Sequence, residues 1–362
     1  MEDFIYWSMV HKIWGVKCNS LLKYLIQNIS GEEFWHLSLQ EIKTRFPTIS
    51  QEMAYDFILK REKLSYKIEK EKILKANIKI ISILHKEYPE RLRKIPYPPA
   101  LLYIRGSIPE KNLAIAIVGA RKATPYGKKI AQNLGYQLSQ EDVQVISGLA
   151  RGIDAFGHLG AVEGKGGTIA VLGSGVNVVY PRENISIYKK IVDCGNGCIL
   201  SEFPLDTQPL KINFPIRNRI ISGLSDGVVI VEAGEKSGSL ITAEFALEQG
   251  KEVFAVPGPI SSPMSKGPHK LLKEGAKLVA DINDIFEEFG QLKFFEFEDK
   301  KVHNLNQKEE AILKILGVEP IFIDDIVKET QMPFGEVIAT LSLLEIKGLV
   351  VQVPGRKFMT VN

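Results

Sequence analysis

From residue 101 onward the chain repeats one pattern: a short apolar run breaks off near a glycine or serine, and a stretch with helical spacing follows. The runs are Ala114 to Val118, Val143 to Ser147, Thr168 to Leu172, Cys198 to Glu202, Gly227 to Val231 and Val253 to Val256. Apolar runs without in/out alternation suit strands buried on both faces, and the helical stretches between them supply the crossovers of a parallel sheet. The pattern predicts an α/β fold, a doubly wound, mostly parallel sheet of the extended Rossmann type over residues 76–295. Right-handed crossovers then gather the strand-end loops on one rim.

The flanks follow other rules. Residues 1–75 carry helical spacing at Leu21, Leu22, Leu25 and Ile26, then at Ile58, Leu59 and Leu64, which predicts a small helical domain. Ile13 to Lys17, with Gly15 inside, fits the turn of a helix-hairpin-helix or SAM-like unit, serving either packing or a grip on a DNA backbone. Arg61 to Lys79 is rich in Lys and Glu and suits a solvated helix. Pro89, Pro96, Pro98 and Pro99 predict an irregular lead-in to the sheet, because proline fixes φ and removes a donor. Glu296 to Asn306 is charged and polar, as a linker is. Residues 306–362 return to helical spacing at Ile312, Leu313, Leu316, Ile326, Val337, Leu341 and Leu344. They end in two short strands, Gly348 to Val353 and Lys357 to Val361, joined at Pro354-Gly355, and so predict a winged helix.

Composition narrows the partners. The 362 residues are 45% hydrophobic and 25% charged, the balance of a soluble protein of two or three domains. A net charge of +3 is too small to mark a polyanion binder by itself, so any basic site must be local. Cys18, Cys194 and Cys198 have no CxxC spacing, which supports neither a disulfide framework nor a zinc ribbon and fits a reducing, cytoplasmic setting. The start lacks a basic segment followed by a long apolar run, and no later stretch is long and apolar enough for a membrane span.

The chemistry concentrates at the strand ends. Lys211, Phe214, Arg217, Asn218 and Arg219 stand at the start of the helix that precedes the run at Gly227. Unpaired N–H groups and the dipole of a helix start attract anions, and Phe214 adds a face on which a base can stack. Gly119 to Gly127 places Arg121 beside another helix start, where Thr124 can cap and Pro125 suits the first position. It is not GxGxxG, so a dinucleotide site is disfavoured. Ser147 to Asp154 pairs close-approach glycines with Arg151 and Asp154, either a phosphate loop or a salt bridge bracing itself; His158 follows on the same helical face and reads as structural. Arg182 adds a cation after Gly173-Ser-Gly175; Ser237, Gly238 and Ser239 form a further cradle, and Lys266-Gly267 follows the last strand.

Several cradles on one rim suit an extended polyanion, and Phe214 favours a single strand with its bases free. No carboxylate dyad, metal-ligand cluster or nucleophile with its base emerges, so no enzyme activity, metal or cofactor is expected.

The motifs Ile117-Val-Gly-Ala-Arg121, Ser147-Gly-Leu-Ala-Arg-Gly-Ile-Asp154, Tyr180-Pro-Arg-Glu-Asn184, Phe214-Pro-Ile-Arg-Asn-Arg219 and Ser237-Gly-Ser-Leu-Ile-Thr-Ala243 together resemble the bacterial DNA-processing protein A family, DprA or Smf. The resemblance spans roughly residues 80 to 290 and extends more loosely to both flanks. It implies a single-stranded-DNA-binding mediator of natural transformation that protects incoming DNA and helps load the RecA recombinase, and a homodimer through the Rossmann domain. Arg121, Arg182, Lys211, Phe214, Arg217 and Arg219 are the residues that carry over by motif. Two other classes compete. A nucleotide-processing phosphoribohydrolase uses a related sheet, but its Pro-Gly-Gly-x-Gly-Thr-x-x-Glu motif is replaced here by Glu232-Ala-Gly-Glu-Lys-Ser-Gly-Ser. A regulatory protein would instead read duplex DNA with the winged helix, whose Gly355-Arg356-Lys357 is either a basic wing tip or a polar turn.

Overall fold

Nine strands form one sheet in the order β1-β2-β6-β5-β4-β3-β7-β8-β9. The computed structural model describes residues 2–109, 111–290, 305–317, 320–347, 349–353 and 355–360. Residues 1–292 form one unit and 293–362 a second. The position between residues 75 and 76 falls inside the first unit, and the expected linker lies outside the described residues up to residue 304.

The six apolar runs become the parallel strands β3 (Ala114–Val118), β4 (Gln144–Ser147), β5 (Thr168–Leu172), β6 (Gly197–Ser201), β7 (Gly227–Ile230) and β8 (Glu252–Ala255). All are buried on both faces except at Glu252. Three further strands extend the sheet. β1 (Lys79–Ser82) and β2 (Leu101–Gly106) pair antiparallel, and β2 pairs antiparallel with β6, setting Tyr103 opposite Ser201. β9 (Lys277–Leu278) lies parallel to β8 at the other edge. The proline-rich lead-in is thus the connection of an antiparallel pair, with Tyr88 Oη donating to the carbonyl of Pro99 at 2.8 Å.

The helices of residues 2–75 share a hydrophobic core with the sheet. Trp7, Phe34 and Phe57 belong to the same buried cluster as Tyr103, Leu172 and Ile199. The Tyr103 hydroxyl lies 3.3 Å from His11 Nδ1 and donates to Ser8 Oγ at 3.2 Å. The segment Ile13 to Lys17 is the end of one helix, Gly15 at φ +71°, and a 3-10 turn leading into the helix Asn19–Asn28.

Among the described residues the second unit holds three helices, Gln307–Ile315, Ile323–Thr330 and Phe334–Ile346. A sheet of order β10-β12-β11 completes the winged helix, with β10 at Ile321–Phe322, β11 at Val350–Val353 and β12 at Lys357–Thr360. Ile312, Ile326, Val337 and Leu344 are fully buried in its own core.

Candidate nucleic-acid interface

The parallel order reverses between β3 and β7, where strands on one side continue to β4 and on the other to β8. Such a switch point opens a crevice beyond the carboxyl ends of the strands. A cleft of about 870 Å³ lies there, lined by Arg121 after β3, Lys211 before the helix Asn213–Leu224 and Phe214 in its first turn, and Lys236 to Ser239 after β7.

Phe214 is the aromatic side chain of this cleft with a cation over its face. Its ring is half-buried, with the Arg121 guanidinium 5.1 Å from its centroid and the Tyr180 ring 5.7 Å away at 42°. Beneath it lies Gly173, where an added Cβ would come within 3.0 Å of Phe214 Cδ1. Arg121, Lys211 and Lys236 are exposed around the ring. The helix Asn213–Leu224 starts without a side-chain cap, and Pro215 in its first turn sacrifices no helical bond. The helix Gly238–Glu248 also begins in the cleft, where Ser237 Oγ accepts from the N–H of Ser239 at 3.4 Å. Two helix starts and three exposed cations therefore line one cleft with this aromatic ring.

Arg217 and Arg219 behave differently from the expectation of paired phosphate contacts. Residues two apart on a helix point to opposite sides. Arg217 follows Phe214 by one turn but is 4% exposed, and its Nη1 donates to the carbonyl of Gly148 at 2.6 Å and to that of Val171. It staples the helix to the ends of β4 and β5. Gly148 permits this, since any side chain there would collide with the guanidinium. Burial lowers the Arg217 guanidinium to about 10, Asp154 opposes the shift, and Arg121 adds to it. Arg219 turns away to Glu202, a fully buried carboxylate also held by Asn19, and donates from Nη1 to the carbonyl of Tyr97 at 2.7 Å.

The loop after β4 is braced, but not by an Arg151–Asp154 bridge. Arg151 pairs with Glu183 through Nε at 2.6 Å and Nη2 at 2.8 Å. Asp154 is buried and accepts from the N–H groups of Gly148 at 3.1 Å and Ala150 at 3.4 Å. Burial pushes its carboxyl above the ordinary range, while Arg217 and these N–H groups pull it back.

The helix start at Pro125 is also occupied from within. Glu232, at the end of β7, accepts from the Thr124 N–H at 2.8 Å and from Thr124 Oγ1 at 2.6 Å. Thr124 Oγ1 in turn accepts from the Gly127 N–H at 3.1 Å. The predicted phosphate cradle beside Arg121 thus holds a carboxylate of the protein, and Arg121 faces the cleft over Phe214 instead.

Asn218 is buried on the cleft floor, accepting from Arg217 Nε at 3.2 Å and donating to the carbonyl of Gly238 at 3.2 Å. Arg182 is exposed in a short 3-10 turn that follows the cis peptide Tyr180–Pro181, and it does not line the cleft. Gly267 is buried and does not line the cleft either, its N–H donating to the carbonyl of Ala233 at 2.9 Å; an added Cβ would meet that carbonyl at 2.8 Å. Sequence reasoning gave Tyr180, Lys236 and Glu232 no role. Tyr180 stands two residues before Arg182, and that aromatic beside a cation is the signal the sequence held for it.

Fold and cleft together define a Rossmann-type α/β protein with a basic, aromatic-centred crevice at the switch point of its sheet and a winged helix in its second unit. The model of DNA recombination-mediator protein A matches residues 79–290, that of the DprA winged helix domain matches residues 299–356, and the chain belongs to this DprA/Smf family. It is 40% identical over 276 residues to Protein Smf of Escherichia coli (strain K12), covering 74% of each chain. It is 46% identical over 213 residues to DNA processing protein DprA of Bacillus subtilis (strain 168), covering 58% of this chain and 71% of that one. Among solved structures, that of DprA from Streptococcus pneumoniae superposes with a TM-score of 0.65 at 35% identity, over 80% of this chain and 98% of that one. DNA processing protein A from Helicobacter pylori, whose structure addresses its single-stranded DNA binding mode, superposes with a TM-score of 0.53 at 29% identity, over 59% of this chain and 96% of that one. No helix among the described residues is long and apolar enough to cross a membrane.

Proposed function

We propose that the cleft at the switch point binds single-stranded DNA, with a base stacked at Phe214 and phosphates held by Arg121, Lys211 and the helix starts at Ser237, Gly238 and Ser239. The observation that carries this reading is the half-buried Phe214 ring amid exposed Arg121, Lys211 and Lys236. A ring accepts any base, and cations on either side of it suit a continuing phosphate backbone. Arg182 extends the track beyond the cleft. Arg217 and Asn218 shape the cleft floor, while Arg219 and Gly267 do not line it.

In this reading the protein acts by binding rather than catalysis. Asp154, which lines the cleft, and Glu232, just after β7, are both engaged by backbone or hydroxyl donors. We further propose that the chain works in the cytoplasm as a recombination mediator of natural transformation, protecting incoming single strands and helping to load RecA. Homodimerisation through the Rossmann domain is part of the same proposal. Leu247 and Leu278, 64% and 49% exposed beside β8 and on β9, offer apolar surface at that edge.

Fluorescence anisotropy with oligo-dT and with duplex of equal length tests the reading. Tighter binding of the single strand is expected, weakened in Phe214→Ala and in Lys211→Ala. Unchanged oligo-dT affinity in both variants would refute it.

A further inference from the structure

The opposite rim of the sheet carries a second cavity, of about 890 Å³. Ligands of parallel sheets normally gather at the carboxyl ends of the strands. Here antiparallel β2 reverses the rule locally, because its own carboxyl end, Ile104 to Gly106, stands among the amino ends of β4 to β8 and opens onto this cavity. The turns before β7 and β8 contribute Asp226 and Lys251.

The charges around this cavity are unevenly matched. Lys79 pairs with Glu87, and Arg91 gives Nε to Asp226 at 2.8 Å and Nη2 to the carbonyl of Asn112 at 2.6 Å. Those contacts suffice to brace the rim. Lys86, Lys94 and Lys251 also line the cavity and, among the described residues, have no carboxylate within ion-pairing distance. Lys251 is half-buried, and burial lowers its ammonium below the ordinary range; Asp226 opposes this, and the nearby cations Arg91 and Lys94 add to it. A partly desolvated cation crowded by like charges is relieved by an incoming anion. The remaining wall includes Ile104, Ile108 and Leu224. Its size lies within the roughly 300–1,000 Å³ of small-molecule sites.

We propose that this cavity binds a phosphorylated small molecule of mononucleotide size, its phosphate held between Lys94 and Lys251 and its body laid against Ile104, Ile108 and Leu224. The site is separate from the DNA cleft, since the two lie on opposite rims of the sheet and share no lining residue. It therefore stands or falls independently of the DNA-binding reading.

Isothermal titration of the full chain with AMP, adenosine and inorganic phosphate tests it, in the unsubstituted protein and in Lys94→Ala, Lys251→Met and Phe214→Ala. AMP is expected to bind more tightly than either fragment, to lose roughly tenfold in affinity in each lysine variant, and to bind Phe214→Ala unchanged. Lys94 is exposed, so its variant reports on the site even if Lys251→Met alters folding. Oligo-dT affinity is expected to stay the same in both lysine variants. Absence of AMP binding, equal binding of phosphate alone, unchanged affinity in Lys94→Ala, or loss of AMP binding in Phe214→Ala would each overturn the proposal.

Discussion

A single turn of helix separates residues with unlike duties in the stretch from Lys211 to Arg219. Phe214 presents its ring to the cleft, and Arg217 one turn later is consumed in holding the strand ends. The two substitutions should therefore separate cleanly. Phe214→Ala is expected to cost about 1–3 kcal/mol in oligo-dT binding with the salt dependence unaltered, since stacking involves no counterion release. Arg121→Ala is expected to flatten the salt dependence by about 0.7 in slope as well as to remove its cation–π contact, which a salt titration of the same oligonucleotide reads directly. Arg217→Ala is a stability variant. It strips a partner from two carbonyls and leaves the Asp154 carboxylate without its cation, so a loss of about 3–5 kcal/mol is expected in urea unfolding. The sequence showed the residue types here but not their directions. Gly148, which makes room for Arg217, is distant in sequence and is recognisable as a seat only once the two meet.

At the scale of elements, legibility followed burial. Strands covered on both faces are continuous apolar runs, and β3 to β8 were placed within a residue or two. β1, β2 and β9 were missed for physical reasons. β9 has two residues, both exposed, whereas β1 and β2 are largely buried and were hidden by the proline-rich connection between them, which reads as irregular. The winged helix was legible from its period, and its chemistry is now clearer. The helix Phe334–Ile346, the third of the unit, contains Glu336 and Glu345 and no basic residue. A helix that reads the major groove needs donors for phosphates and base edges, and this one presents carboxylates. At the wing, Lys357 sits 4.2 Å above the Phe322 ring. Removing residues 306–362 is therefore expected to leave duplex affinity unchanged, as gel shift with the truncated and full chains would register; a marked loss would restore the wing as a DNA reader.

The whole molecule carries a pH dependence set by groups far from any surface. His158 is fully buried, its Nδ1 lies 2.7 Å from Thr168 Oγ1, which itself donates to the Val145 carbonyl, and its Nε2 has no hydrogen-bond partner among the described residues. Burial, with Arg217 adding to it, lowers the imidazole from 6.5 to about 3. Above about pH 6.5 the ring is neutral in both folded and unfolded chains; below it the unfolded chain takes up a proton that the folded one refuses. Stability is therefore lost as pH falls from 6.5 toward 3. Asp154 and Glu202, raised by burial, work in the opposite sense, so the contrast between variant and parent isolates the histidine. His158→Gln is expected to show a shallower fall in Tm on acidification than the parent in parallel melts.

Glu232 gives the protein something that a search for anion sites overlooks. Its carboxylate rests where a nucleotide-binding relative of this sheet would seat a diphosphate, with the Thr124 N–H and hydroxyl already committed to it. A built-in anion of this kind acts as a resident competitor. A diphosphate therefore finds that one helix start taken, whereas the starts at Asn213 and Gly238 hold no such carboxylate. A long strand needs no such seat, because it gathers its hold from many weaker contacts along the rim. Under the proposed function, a single strand held by contacts spread over the cleft loses little to that one filled seat.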